Sequence, residues 1–134
     1  VLGDDDIYFI DIGPVFRDHE GDVGATFTTG PDPEKNACAL AAKTLFEDVR
    51  KLWLTQGKSG PELYDFAAEQ AKRMGWILNL DIKGHRVSDF PHAIYKAGDL
   101  AEFDGRPDAG IWVLEIQIVH PSGAYGAFHE DVLM

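Results

Sequence analysis

Acidic residues sit in the middle of apolar, strand-like runs, and that placement constrains the fold more than any other feature of the chain. In Ile111-Trp112-Val113-Leu114-Glu115-Ile116-Gln117-Ile118-Val119, a period of two puts Glu115 on one face with Val113, Gln117 and Val119. Leu114, Ile116 and Ile118 take the other. Both faces read as buried. Asp11 shares a face with Ile7 and Phe9, and Glu130 shares one with Phe128 and Val132. An ionised carboxylate taken out of water without a partner costs several kcal/mol or takes up a proton, so such groups are usually paired, hydrogen-bonded or bound to metal. The basic residues nearest these strands in sequence are Arg17, Lys83 and Arg86. With so few, a cation from solution is the simplest counter-charge.

The order of elements is strands, two helices, strands. Ile7–Ile12 is β-branched and aromatic, Gly13-Pro14 ends it, and a polar turn through Arg17, Asp18, His19, Glu20 and Gly21 leads to a return strand from Asp22 to Thr28. Asp32-Pro33 is an N-cap with proline at the first helical position. Ala37, Leu40, Ala41, Leu45, Val49, Leu52 and Trp53 then recur at helical spacing up to a stop at Gly57. Ser59-Gly60-Pro61-Glu62 fits a capping box, opening a second amphipathic helix that Gly75 closes. Beyond it the texture predicts strands near Trp76–Ile82, Ile111–Val119 and Ala127–Leu133, with Ala97–Gly110 as a surface loop. The fold class is α+β, an antiparallel sheet carrying helices on one face. At 134 residues, with no linker or repeat, the chain reads as one domain over 1–134.

Composition narrows the partners. Twelve Lys and Arg against 23 Asp and Glu give a formal charge of −11, which argues against nucleic-acid backbones and anionic membranes and favours cations. At 45% hydrophobic residues the chain can bury a core. A single cysteine, Cys38, excludes an internal disulfide framework and leans to a reducing, cytoplasmic setting. No apolar stretch is long enough for a membrane span and no export signal is evident. Four carboxylates carry about −4, which two divalent ions would neutralise, and hard oxygens with one imidazole suit Mn, Fe, Co or Zn.

The residues carrying these acids resemble a known family. Asp11-Ile12-Gly13 followed by Gly21-Asp22 is similar to a D-x-G strand with its second Asp eleven positions later. Gly84-His85 with His92 seven residues on, Leu114-Glu115 in its strand, and the closing Glu130-Asp131-Val132-Leu133 complete the pattern. The order Asp, Asp, His, Glu, Glu is that of the methionine aminopeptidase, prolidase and creatinase group, the pita-bread metallopeptidases.

The resemblance implies a pita-bread fold and a dinuclear site in which Asp22 and Glu130 bridge two divalent metal ions, Asp11 completes one and His85 with Glu115 the other. It further implies that Glu115 shuttles a proton and that His92 hydrogen-bonds the carbonyl of a peptide substrate. The implied activity is hydrolysis of an N-terminal peptide bond, of aminopeptidase or Xaa-Pro type. An inactive pita-bread module that binds peptide or protein is the alternative.

Departures bear on that alternative. The family's G-H-G-x-G is Gly84-His85-Arg86-Val87-Ser88 here, so bulk and charge are expected where substrate approaches. Ala93-Ile94 follows His92 in place of an acid, and Ala25 stands where an Arg is common. The family's N-terminal wall of the cleft has no counterpart, so the chain is expected to be a partial or N-terminally truncated member, with a homodimer as one way to supply the wall. Other polar residues have ordinary readings. Asp18, His19 and Glu20 read as a solvated turn, and Asp89 as at most a partner to His85. Cys38 reads as core, His120 as a turn residue before Pro121, and His129, alternating away from Glu130, as outward-facing.

Overall fold

The computed structural model describes residues 1–87 and 98–134. Strands β1 (Ile7–Ile12), β4 (Val23–Thr28), β7 (Trp112–Val119) and β8 (Gly126–Val132) carry the sheet. Between β1 and β4 stand two short strands, β2 (Val15–Phe16) and β3 (His19–Glu20). Helices α1 (Pro33–Gln56) and α2 (Gly60–Arg73) follow β4, then β5 (Ile77–Leu78) and β6 (His85–Arg86). The sheet order is β1-β4-β8-β7-β5, with β6 also pairing β7, and every pairing is antiparallel.

Both helices start and stop where their end residues dictate. The Asp32 carboxylate accepts from the N–H groups of Glu34 and Lys35 at 2.8 and 3.2 Å, satisfying donors that have no partner inside the first turn. Gly57, left-handed at φ 61°, closes α1 by donating to Trp53 O. At α2, Glu62 accepts from the Ser59 N–H at 2.9 Å. The inner face of α1 buries Cys38, Ala41, Leu45, Phe46, Val49 and Trp53. That of α2 buries Leu63, Tyr64, Ala67 and Ala71. Both press on Leu114, Ile116 and Ile118 of β7, which are fully buried. The helix layer thus covers one face of the sheet and leaves the other, with Glu115 and Glu130, for the site.

Several local expectations change. The strand expected over Trp76–Ile82 is only Ile77–Leu78: Asn79 still donates its N–H to Gln117 O, but its side chain accepts from the Asp81 N–H at 3.0 Å and turns the chain away beyond it. Of the surface loop expected over Ala97–Gly110, Ala97 lies outside the described residues; from Gly98 to Gly110 most residues are exposed, but the segment is anchored to the core by a 3-10 turn, Leu100–Glu102, with Leu100 fully buried, and by Trp53 Nε1 donating to Pro107 O at 2.8 Å. His19 and Glu20 are the return strand of a tight hairpin rather than a polar turn; Arg17 and Asp18, both at positive φ, make its two-residue connection. His129 does alternate away from Glu130, but that side is the covered one, and its ring meets Phe46 edge-on at 4.8 Å between centroids. Cys38 is core, as its helical position predicts.

Gly60 is the tightest joint in this frame. Its N–H donates to Phe103 O at 3.0 Å, and an added Cβ would lie 1.8 Å from Leu100 O. Because backbone is the obstacle, Gly60→Ala is expected to lower stability by at least about 2 kcal/mol, read as a fall in thermal midpoint, while Gly75→Ala is expected to act only through its left-handed φ of 87° and cost about 1 kcal/mol.

Candidate metal centre

A single row across the sheet brings the acids together. Asp11 of β1 is opposite Gly24 of β4, Gly24 is opposite Glu130 of β8, and Glu130 is opposite Glu115 of β7. Facing residues in antiparallel strands are about 5 Å apart, and all four positions present the same face. Gly24 contributes no side chain, so a gap opens between Asp11 and Glu130. A Cβ there would lie 2.7 Å from Glu130 Oε1 and 2.6 Å from the Phe128 ring.

Asp22, just outside β4, and His85, on β6, close the group from the open side. His85 Nε2 lies 3.0 Å from an Asp22 carboxylate oxygen. Gly84, at φ 70°, makes the bend that aims His85, and it is locked there: its N–H donates to Glu115 Oε2 at 3.0 Å and its carbonyl accepts from Leu100 N–H at 2.9 Å. Ligand atoms of Asp22, His85 and Glu130 all lie within 4.8 Å of one another. A cavity of about 330 Å³ opens over them, lined by Asp11, Asp22 and His85 together with Gly13, Glu20, Gly21 and Val87.

Burial is uneven along the row. Glu130 is 2% exposed, Glu115 and Asp22 are half-buried, and Asp11 is exposed. Asp11, expected among the acids buried in apolar strands, is instead exposed, since β1 is an edge strand with β4 as its single paired neighbour. Burial, reinforced by the negative charges of Asp22, Asp11 and Glu115, pushes the Glu130 carboxyl up to about 9. Burial also raises Glu115, against the pull of His85, and it raises Asp22 with help from Asp11. Glu130 Oε1 is buried without a hydrogen-bond partner among the described residues.

That orphaned oxygen, the glycine gap and a donor set of carboxylates with one imidazole fit a divalent cation, whose charge would relieve all three carboxyl groups at once. Of the six residues singled out in the sequence, Asp11, Asp22, His85, Glu115 and Glu130 are brought to this one place. His92 lies outside the described residues, as does Asp89. Arg86 is not at the site: paired with Trp112, it projects to the opposite face from His85, with its guanidinium 5.9 Å from the Trp112 ring centre. Alternation along β6 dictates this, and the charge expected at the substrate's approach is absent from it. Gly24 went unremarked in the sequence reading. The signal was present, a glycine inside an otherwise regular strand, which marks close approach by something else.

The chain matches the metallopeptidase family M24 over residues 1–134. It belongs to that family. The fold is that of a methionine aminopeptidase from Thermotoga maritima, whose crystal structure superposes with a TM-score of 0.64 at 16% sequence identity. The alignment covers 94% of this M24 chain and 57% of the aminopeptidase, so the chain spans little more than half of that protein's length. No curated protein matches it. Among the described residues no helix is long and apolar enough to cross a membrane.

The acids make a pH prediction for the metal-free protein. Glu130 keeps in the folded state a proton that the unfolded chain, with an ordinary Glu near 4.5, has already released. The folded state therefore binds more protons between those values, and stability falls as pH rises toward 9. Half-buried His129, whose pKa is lowered by that burial, acts the other way only below its ordinary 6.5. Thermal midpoints in chelator are expected to fall from pH 7 to pH 9, with most of the slope gone in Glu130→Gln and the fall offset by a divalent ion.

Proposed function

We propose that this M24 chain forms the metal-binding core of a peptidase that hydrolyses the N-terminal bond of a peptide, of aminopeptidase or Xaa-Pro type, in the cytoplasm. The observation that carries the reading is the meeting of Asp22, His85 and Glu130 within 4.8 Å, with Glu115 and Asp11 in the same row. Two divalent ions, Mn, Co, Fe or Zn, fit a set in which Asp22 and Glu130 lie centrally, Asp11 on one flank and His85 with Glu115 on the other. Bound there, the ions supply Lewis acidity toward the scissile carbonyl and a water acidic enough to attack at neutral pH.

The chain's own groups do the rest. Glu115 has one oxygen fixed by the Gly84 N–H, which leaves the other to take a proton from the attacking water and pass it to the leaving amine. Its raised pKa suits that traffic, because a carboxyl that is too acidic returns protons poorly. The His85 ring is oriented by its other nitrogen, Nδ1, which donates to Arg86 O at 2.8 Å and leaves Nε2, beside Asp22, to face an ion. His92 is assigned the hydrogen bond to the substrate carbonyl, on the family pattern. With Arg86 turned away over Trp112, one argument for a purely peptide-binding module is gone.

The test sets purified chain beside an Asp22→Ala, Glu130→Ala variant. About two divalent ions per chain are expected in the parent and none in the variant, and near-zero content in both would refute the reading. Release of free amino acid from a dipeptide panel with Mn(II) or Co(II) is expected to fall at least about 100-fold in the variant, since losing even a partner of a ligand costs 10–100-fold.

A further inference from the structure

The edge of β7 that faces away from β8 is broken in the middle. β6 pairs with Trp112 and Val113, and β5 pairs with Ile118 and Val119. Among the described residues no strand lies against the stretch between them. Alternation along an antiparallel strand points the carbonyls of Ile111, Glu115 and Gln117 to this same edge. The chain itself serves the two ends: Ile111 O accepts from the Val87 N–H and Gln117 O from the Asn79 N–H, both at 2.8 Å. In the gap, Glu115 O accepts from the hydroxyl of Tyr64, on α2, at 2.8 Å. A side chain thus stands where a neighbouring strand's N–H would be, and it answers a carbonyl that could not be left unpaired.

The same hydroxyl abuts the bend that aims His85. A Cβ added to Gly84 would lie 2.9 Å from Tyr64 Oη, 2.9 Å from Leu100 Cβ and 2.5 Å from Val113 O, so α2, the 3-10 turn and β7 close on this bend from three sides. The turn grips it further, with Ala101 N–H donating to Lys83 O at 3.1 Å and Lys83 Nζ reaching Asp99 and Glu102, each at 3.2 Å. Tyr64 is 4% exposed, and burial raises its hydroxyl well above the ordinary value, so it serves as a donor and never as a base. It meets Glu115 through the main chain and is not among the residues that line the cavity over the acids.

We propose that Tyr64 is a positioning residue of the metal centre: its hydroxyl fixes β7 at Glu115 and the chain at Gly84, and through them the separation of Glu115 from His85. These two groups are the ones assigned to a single ion, so the inference rests on that reading of the ligands. β6 is only two residues long, and so short a strand does not hold a ligand in place by pairing alone. Supports that stand behind a ligand commonly weigh about 10–100-fold in metal affinity.

Calorimetric titration of the full chain with Zn(II) at pH 7 reads the effect without turnover. In Tyr64→Phe, which removes one oxygen and leaves the ring in the core, one binding event is expected to weaken about tenfold or more and the other by less than about threefold. Trp53→Phe is the control for stability alone. It removes a different buried hydrogen bond, Trp53 Nε1 to Pro107 O, and is expected to lower the thermal midpoint with both affinities kept. Should Tyr64→Phe not fold, Lys83→Met loosens the same bend from the surface and is expected to weaken one binding event about threefold. Affinities equal to the parent's in Tyr64→Phe, or in Lys83→Met where that variant stands in for it, overturn the proposal, as does an equal loss in Trp53→Phe. Hydrogen exchange at the Gly84 N–H, read in chelator, separates this inference from the metal reading. It is expected to quicken at least about fivefold in Tyr64→Phe while the amides of α1 keep the parent's rates. Quickened exchange in a chain that takes up no ion sustains the hold of Tyr64 on the bend and defeats the metal reading. Uptake of two ions, with exchange and affinity unmoved by Tyr64→Phe, does the reverse.

Discussion

Mutual repulsion among carboxylates lined up across neighbouring strands is the constraint that the rest of the structure accommodates. A sheet places facing residues about 5 Å apart whether or not their charges agree. Here the row Asp11, Gly24, Glu130, Glu115 sets three acids on one face, with Asp22 above them. The most buried, Glu130, holds its proton to about pH 9 when nothing else answers the charge. Either a proton or a cation must satisfy the row. The imidazole of His85, the orphaned Glu130 oxygen and the space beside it favour the cation.

The opposite face keeps this strained row in place. Leu114 and Ile116, flanking Glu115 in sequence, are buried beneath α1 and α2. Tyr64 reaches from α2 to donate its hydroxyl to the backbone oxygen of Glu115 at 2.8 Å. Leu100 packs in the same layer and donates to Gly84, which in turn donates to the Glu115 carboxylate. Apolar burial on one side of β7 thus stabilises a polar arrangement on the other that would not form by itself. Asp11 is the exception. It sits on the exposed edge strand and owes its place to β4.

Much of this was legible in the residues. Proline and glycine at helix ends, the Asp32 cap and the 3.6-residue spacing of Leu45, Val49 and Trp53 marked α1 and α2, because those signals are local. Period two in Ile111–Val119 separated the core face from the acidic face before any partner strand was known. The motif order, read as a resemblance, gathered the acids and His85. Alternation alone leaves open which face the helices cover, so His129 reads as outward-facing although its side is the covered one; Arg86 is expected near substrate from its place in the motif, and alternation from His85 turns it away. The burial of Leu100 and Pro107 was hidden for a similar reason: a segment without periodicity carries no record of what folds over it.

Gly24 is the one position in the acidic row that has nothing to offer an ion, and the row depends on it all the same. The vacancy is made by omitting a side chain, with the strand's course undisturbed, so the room for a ligand is written into a residue that never touches one. Chemistry here is permitted by an absence, and a single methyl group could revoke it while every acid stayed in place.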